Sequence, residues 1–151
     1  MESKNIKIFN KTAPKNFNIS EKITAGIELL GSEVKAIRLG HVDLNSSYVK
    51  IMDGEAFLIN AKIFPYKFSR VENYQEDRSR RLLMHKKEIT ALKSKLETGN
   101  YTLVPTTLFL SKGRFKLDIA LAKGKKDYEK RKDSKRAAIE RVQERELKEI
   151  I

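Results

Sequence analysis

The segment Ser47–Asn60 places the strongest constraint on the fold, because two β-rich runs flank the pair Asp53-Gly54. An Asp-Gly pair readily adopts the positive φ angles of a type I′ turn, whose twist matches that of two antiparallel strands. This pattern predicts a β-hairpin. A second hairpin is predicted from Tyr101–Leu110 and Arg114–Ala122, joined through Lys112-Gly113, because apolar and polar residues alternate along its second strand.

Three further elements are predicted around these hairpins. Alternating apolar residues over Phe17–Leu30 predict a long first strand, broken or bulged at Gly26. A short helix is predicted over Ser32–Leu39 with Ser32 as its N-cap, and an apolar stripe over Lys86–Gly99 predicts an amphipathic helix. About six strands with two or three helices favour a mainly β fold, an OB-like closed antiparallel barrel, with a β-sandwich as the alternative.

A strong excess of positive charge indicates an anionic partner. The chain has 32 Lys and Arg against 20 Asp and Glu, a formal net charge of +12. Each phosphate that a cation neutralises releases counterions, so clustered Lys and Arg favour nucleic-acid binding. The basic clusters are Arg78–Arg81, Lys86-Lys87, Lys112–Lys116 and Lys123–Arg136. Six aromatic residues could stack on bases, with burial in the core as the alternative: Tyr48, Phe57, Tyr66, Phe68, Tyr74 and Phe115.

The composition changes after Ala122, which predicts two regions. Residues 1–122 would form the nucleic-acid-binding OB-like barrel, and residues 123–151 would form a basic C-terminal tail. Residues 123–136 contain eight basic and three acidic residues, a net charge of 8 − 3 = +5. Such dense like charges repel and cannot offset their ordering entropy by burial, so the free tail is predicted to be disordered. Its later residues have good helix propensity, which predicts a helix on binding.

Several kinds of chemistry have no support in the sequence. Cysteine is absent, so the chain has no disulfides, thiolate zinc sites or cysteine nucleophiles. His41 follows a helix-ending glycine and His85 precedes a helix, so the sequence does not pair them as a catalytic acid and base. Gly124-Lys125-Lys126 lacks the Ser or Thr of a phosphate-binding loop. We therefore predict a protein that is not an enzyme and uses no metal or cofactor. Without a signal-peptide pattern or an apolar run of about 20 residues, it is expected in the cytoplasm, away from membranes.

Three segments together resemble the tmRNA-binding protein family, also known as small protein B or SsrA-binding protein. They are Gly26–Gly40, Asp53–Leu58 and Ile119–Lys126, and their order, their spacing and the total length of the chain all agree with that family. The resemblance implies an adaptor of trans-translation. Its barrel would bind the tRNA-like domain of tmRNA and deliver it to the empty A site of stalled ribosomes.

The resemblance also implies a set of RNA-binding residues in the barrel. Carried over position by position, it places five residues on the RNA-facing side: Asn10, Lys11, Glu33, Lys35 and Lys116. Glu33 is the unusual member, because a carboxylate weakens phosphate attraction. It is expected to accept hydrogen bonds from base edges or to orient a neighbouring lysine. The alternative is an ordinary first-turn glutamate favoured by the helix dipole.

A second set of residues, in the tail, is implied to lie in the ribosomal decoding centre, with the helix that follows in the vacant mRNA channel. The set is Lys123, Gly124, Lys125, Lys126, Tyr128, Glu129, Lys130 and Arg131. The chain departs from the family pattern twice, with Glu129 where Asp is usual and Tyr128 where many relatives have His. Glu129 keeps the negative charge, and Tyr128 keeps a ring that could stack on an rRNA base.

The partners implied by the resemblance are tmRNA and the stalled ribosome, with small-subunit rRNA at the decoding centre. Elongation factor Tu and alanyl-tRNA synthetase would be reached through the tmRNA, and the protein itself is expected to be a monomer. Two alternatives share the positive charge. One is a different ribosomal or translation-factor barrel, and the other is a membrane-surface protein whose tail forms an amphipathic helix.

Overall fold

The computed structural model describes residues 6–68 and 73–125 and, in the tail, residues 131, 132, 135, 136, 138, 139 and 141. Within residues 6–68 and 73–125 the helices are α1 (Ala13–Asn16), α2 (Gly31–Arg38) and α3 (Lys86–Gly99). None of the helices in this part of the chain is long and apolar enough to cross a membrane. The strands are β1 (Lys7–Phe9), β2 (Phe17–Ile27), β3 (Val42–Asp43), β4 (Tyr48–Met52), β5 (Glu55–Ile59), β6 (Lys62–Ile63), β7 (Arg80–Leu83), β8 (Thr102–Ser111) and β9 (Arg114–Gly124).

Six strands form a closed circuit of antiparallel pairings in the order β8-β4-β5-β7-β2-β9, and β9 pairs back with β8. The shortest strand pairing in this circuit is that of β4 with β8, which consists of one residue pair, Val49 with Leu103. Strand β1 adds to β8 outside the circuit, and β3 pairs with β6 as a separate ribbon. The predicted six-stranded antiparallel barrel with short helices is therefore confirmed in place of the sandwich.

Both predicted hairpins are confirmed, and their turns explain why they form. Asp53 and Gly54 have φ angles of 51° and 74°, and Lys112 and Gly113 have φ angles of 51° and 77°. Two consecutive positive φ angles define a type I′ turn, in which glycine at the second position avoids a steric penalty. The turns join β4 to β5 and β8 to β9, and thus set the register of these two strand pairs.

The first long strand is confirmed, but its predicted irregularity at Gly26 is wrong. The register of β2 against β9 shifts between Ile19 and Lys22 and runs evenly through Gly26. A Cβ atom at Gly26 would lie 3.2 Å from the Cβ atom of Leu83 on the neighbouring strand. Glycine at this position therefore leaves room for the Leu83 side chain of the paired strand β7. The bulge lies between Ile19 and Lys22 instead.

Helix α2 also begins differently from the prediction. It starts at Gly31 with Leu30 as the N-cap residue, so the predicted cap at Ser32 is wrong. The Glu33 carboxylate accepts a hydrogen bond of 2.9 Å from the Leu30 backbone N–H, which satisfies one of the free donors at the helix start. Helix α3 has the predicted bounds, and its C-cap residue Asn100 has a left-handed conformation with φ 52°.

The main hydrophobic core fills the barrel and is covered by the two longer helices. Ala36 and Ile37 of α2 and Leu92 of α3 belong to the same buried cluster as the inward residues of the strands. Leu58, Leu103, Leu117 and other inward side chains are almost completely buried. The barrel therefore has a packed interior, and ligands must be bound on its outer surface.

The last strand continues past the predicted start of the tail. Lys123 pairs with Asn18, Gly124 pairs with Phe17, and the Lys125 N–H donates a 2.8 Å hydrogen bond to the Asn16 carbonyl. The described residues from Arg131 onward have helical backbone. The division into a barrel and a tail stays a prediction. The first residues of the predicted tail pair with residues 16–18.

Candidate nucleic-acid interface

A partly buried cluster of charged and polar side chains connects helix α2 to the residues around the start of β7, and we call it the Glu33 network: Glu33, Tyr74, Arg78 and Arg80. Glu33 is only 1% exposed and Arg80 is 0% exposed. Arg80 approaches Glu33 Oε2 with Nε at 2.8 Å and Nη2 at 2.6 Å. Arg78 donates from Nη2 to Oε1 at 2.5 Å and from Nε to Oε2 at 3.2 Å. Both carboxylate oxygens are therefore occupied by guanidinium donors.

The electrostatics of the network keep Glu33 ionised and Tyr74 protonated. Burial by itself raises the pKa of the Glu33 carboxyl, but hydrogen bonds from Arg78, the Leu30 N–H and Arg80 together hold that pKa below its ordinary value. Burial, followed by the charge of Glu33, raises the pKa of the Tyr74 phenol. Its hydroxyl donates a 2.7 Å hydrogen bond to the Ile63 carbonyl. The network thereby ties α2 to both ends of the loop between β6 and β7.

Two residues expected on the RNA-facing surface are buried instead. The Glu33 side chain has no exposed oxygen for a base edge, because the arginines occupy the carboxylate. Asn10 is 4% exposed, and its Oδ1 accepts from the N–H groups of Thr12 at 3.2 Å and Ala13 at 3.1 Å. Its Nδ2 donates to the Pro105 carbonyl at 2.8 Å. The surface expectation is wrong for both side chains, which hold backbone segments in place.

Lys11 and Lys35 do lie at the surface, next to these buried residues. Lys11 directly follows Asn10. Lys35 lies on α2, two residues after Glu33, and its Nζ is 5.5 Å from the centre of the Tyr66 ring. Each exposed lysine is therefore carried by backbone that a buried polar side chain fixes.

Lys116 lies on the outer face of the sheet formed by β1, β8 and β9, which we call the Lys116 face: Lys7, Phe9, Phe109 and Lys116. The register pairs Lys7 with Phe109 and Phe109 with Lys116, so the three side chains form one row across the strands. Phe9 lies two residues after Lys7 on the same face, and it is 61% exposed. No local sequence pattern singles out Lys7, Phe9 and Phe109, because only the register of β1 against β8 brings them beside Lys116.

A cleft of about 420 Å³ joins the Lys116 face to helix α2. Its lining includes Val34 of α2, Ile27 at the end of β2, and Phe115 and Lys116 of β9. Lys116 and the helix that carries Lys35 therefore lie on two sides of one groove. Within the described part of the chain, no group of three His, Cys, Asp or Glu residues could hold a metal ion. The groove offers Lys116, Arg114 and apolar surface, which suit RNA.

Comparison with known proteins decides the family of this chain. A sequence model described as "SmpB protein" matches residues 7–149. This chain belongs to the SmpB family. Two SmpB-family relatives are the SsrA-binding proteins of Pelobacter propionicus and Persephonella marina, 44% and 48% identical over 139 and 138 residues. The alignments cover 92% and 91% of this chain and 91% and 88% of those proteins.

A solved SmpB structure agrees with the fold as well. A chain from "tmRNA-SmpB: a journey to the center of the bacterial ribosome" matches with a TM-score of 0.68 and 39% identity, covering 89% of this chain and 94% of that one. The family resemblance found in the sequence is confirmed. Membership of the SmpB family excludes the alternative of an unrelated translation-factor barrel.

The tail residues of this SmpB-family chain are only partly described. The Lys123 Nζ lies 4.7 Å from the centre of the Tyr101 ring, and the Lys125 Nζ donates to the Pro14 carbonyl at 2.8 Å. Arg131 has helical backbone. Four of the residues expected in the decoding centre lie outside the described residues: Lys126, Tyr128, Glu129 and Lys130.

Proposed function

We propose that this protein is an RNA-binding adaptor of trans-translation that binds the tRNA-like domain of tmRNA and delivers it to the empty A site of stalled ribosomes. The observation that carries this function is the match to the SmpB family over residues 7–149. The SsrA-binding relatives and the solved tmRNA-SmpB structure support the same partners, tmRNA and the ribosome. Elongation factor Tu and alanyl-tRNA synthetase are reached through the tmRNA.

The geometry supports recognition of folded RNA by shape. Lys11, Lys35 and Lys116 are the proposed RNA-binding side chains, and a packed barrel holds them at fixed separations. Folded RNA presents phosphates and a few unstacked bases at fixed positions, which a rigid basic surface can match without reading sequence edge by edge. Glu33 and Asn10 are positioning residues in this proposal, because their side chains are buried against backbone and arginines.

We propose that the tail acts on the ribosome after the barrel has bound its RNA. Residues Lys123–Arg131 would lie in the decoding centre, and the residues that follow would occupy the mRNA channel. A tail and an mRNA cannot share that space, so only a vacant ribosome would accept the complex. This role requires no catalytic group, and the protein acts in the cytoplasm, where ribosomes and tmRNA are found.

The test is a reconstituted translation reaction that stalls on an mRNA without a stop codon. It contains tmRNA and lacks any SsrA-binding protein. Addition of this protein should produce tagged nascent chains in proportion to the amount added, and omission of tmRNA should abolish tagging. A reaction that stays untagged at saturating protein, while a relative such as the Pelobacter propionicus protein restores tagging, would contradict the proposal.

A further inference from the structure

The loop between β6 and β7 presents two aromatic rings at the surface. Phe68 is 74% exposed, the highest value among the large apolar residues that the structure describes. The Tyr66 ring contacts it edge to face, with ring centres 5.6 Å apart and planes at 66°. Tyr66 also packs against the main core. The Tyr66 ring is thus held by the core and contacts the Phe68 ring, which is exposed to solvent.

The Glu33 network fixes the base of this loop. The Ile63 N–H donates to the Glu76 carbonyl at 3.0 Å, and Arg80 Nη2 donates to the same carbonyl at 2.9 Å. The Phe64 N–H donates to the His41 carbonyl at 3.0 Å. The buried Arg80 and these backbone hydrogen bonds therefore hold both ends of the loop that carries the aromatic pair.

Two lysines flank the rings. Lys35 Nζ lies 5.5 Å from the centre of Tyr66, and Lys67 Nζ lies 5.9 Å from the centre of Phe68. An open aromatic face beside two cations matches a nucleotide, whose base stacks while its phosphate meets the ammonium groups. An apolar protein partner would be poorly matched, because binding would bury both charges without a counter-ion.

We propose that Phe68, supported by Tyr66, is a stacking site for one unpaired nucleobase of the bound RNA. This inference rests on the proposed function, because Lys35 belongs to the proposed RNA-binding surface. It adds a specific contact, in which one base of a folded RNA leaves its own stack and lies on the Phe68 ring. Glu33 then contributes to RNA binding by holding the loop that carries the ring.

The experiment uses the absence of tryptophan from this chain. In the full-length protein, the F68W substitution introduces a single indole whose fluorescence is quenched when a base stacks on it. Titration with the tRNA-like domain of tmRNA should quench F68W strongly. The matched control is F64W, on the same loop at a residue that is 40% exposed. Its emission should change little.

Affinity gives an independent readout. Phe68→Ala should weaken binding of the same RNA about fivefold to a hundredfold, the range expected for one stacked base, and F68W should retain wild-type affinity. Thermal melting should be unchanged, because the Phe68 side chain is mostly exposed. Binding of Phe68→Ala within twofold of wild type, or F68W emission unaffected at saturating RNA, would overturn the stacking site.

Two further outcomes separate this inference from the proposed function. If Phe68→Ala binds RNA normally and loses only tagging on ribosomes, the ring contacts a protein and the inference is wrong. If the wild-type protein does not bind the tRNA-like domain, the proposed function fails on its own. A single-stranded oligonucleotide that quenches F68W but not F64W would still support the stacking site in that case.

Discussion

At Glu33 a single carboxylate binds two guanidinium groups, those of the fully buried Arg80 and the partly exposed Arg78. This pairing explains why an acidic residue lies among basic ones. Removal of one partner from a buried ion pair leaves an uncompensated charge, which is strongly unfavourable. Arg80 would be left in that state, because it is fully buried. The Glu33 carboxylate thus stabilises the fold that carries the surface lysines.

We therefore predict that Glu33→Ala destabilises the fold by about 3–5 kcal/mol, measured by urea denaturation. The control is Glu55→Ala, which removes the 3.1 Å pair with Arg81, where both side chains are about half exposed. That variant should lose less than about 1 kcal/mol, because exposed pairs are screened by solvent. Equal losses in the two variants would show that the Glu33 network does not support the fold.

The lowered pKa of Glu33 gives a dependence of stability on pH. The folded state holds this carboxyl ionised to a lower pH than the unfolded chain does, where its pKa is about 4.3. Its stabilising contribution is complete above that unfolded-state pKa and is lost as the pH falls through the lower folded-state pKa. Denaturation midpoints should fall below about pH 5 in the wild type, and this acid dependence should be shallower in Glu33→Gln.

Lys116 tests the proposed surface at the level of one side chain. Lys116→Ala should weaken binding of the tRNA-like domain and reduce the slope of log affinity against log salt by about 0.9 for each phosphate that the lysine neutralises in the wild type. The control is Lys50→Ala, an exposed lysine on β4, two strands away from β9 around the barrel. Lys50→Ala should keep the wild-type slope. Identical slopes for the two variants would place the RNA elsewhere.

Among the elements, the two hairpins depend on turn residues that adopt positive φ angles. Gly54 has a φ of +74° and open space around it, so a Cβ atom there adds backbone strain without a clash. Gly54→Ala should therefore destabilise the fold by about 1 kcal/mol. Gly31→Ala is the control, because Gly31 lies in α2, also has open space, and needs no positive φ. It should be neutral or stabilising in thermal melts.

The same local chemistry explains which elements could be predicted from the sequence. Asp53-Gly54, Lys112-Gly113 and the apolar stripe of α3 encode their structure within a few residues, and all three predictions are confirmed. The bulge in β2 depends on how that strand meets β9, about a hundred residues later, so no local pattern reveals it.

The candidate site was predictable only in part, for a similar reason. Asn10 bonds to Pro105, 95 residues away, and Glu33 bonds to Arg78 and Arg80, 45 and 47 residues away. A polar residue whose partner lies that far along the chain looks like a surface residue in the sequence. The exposed lysines were recognisable, whereas the buried residues that position them needed the three-dimensional pairing.

For the whole molecule, the proposed function divides two tasks between two regions. The barrel closes through β8 and β9 and holds a packed core, so RNA recognition should not need the tail. Lys125 contacts the barrel through the Asn16 and Pro14 carbonyls. A chain that ends at Lys125 keeps these contacts and removes the remaining tail.

Saturation binding of the tRNA-like domain of tmRNA by this shortened chain tests the division most directly. We predict a saturable one-to-one complex with a Kd within about tenfold of the full-length value at physiological salt, a difference of at most about 1.4 kcal/mol. The shortened chain should at the same time fail to support tagging on stalled ribosomes. Loss of saturable RNA binding in a shortened chain that still melts cooperatively would contradict the claim that the barrel alone recognises the RNA.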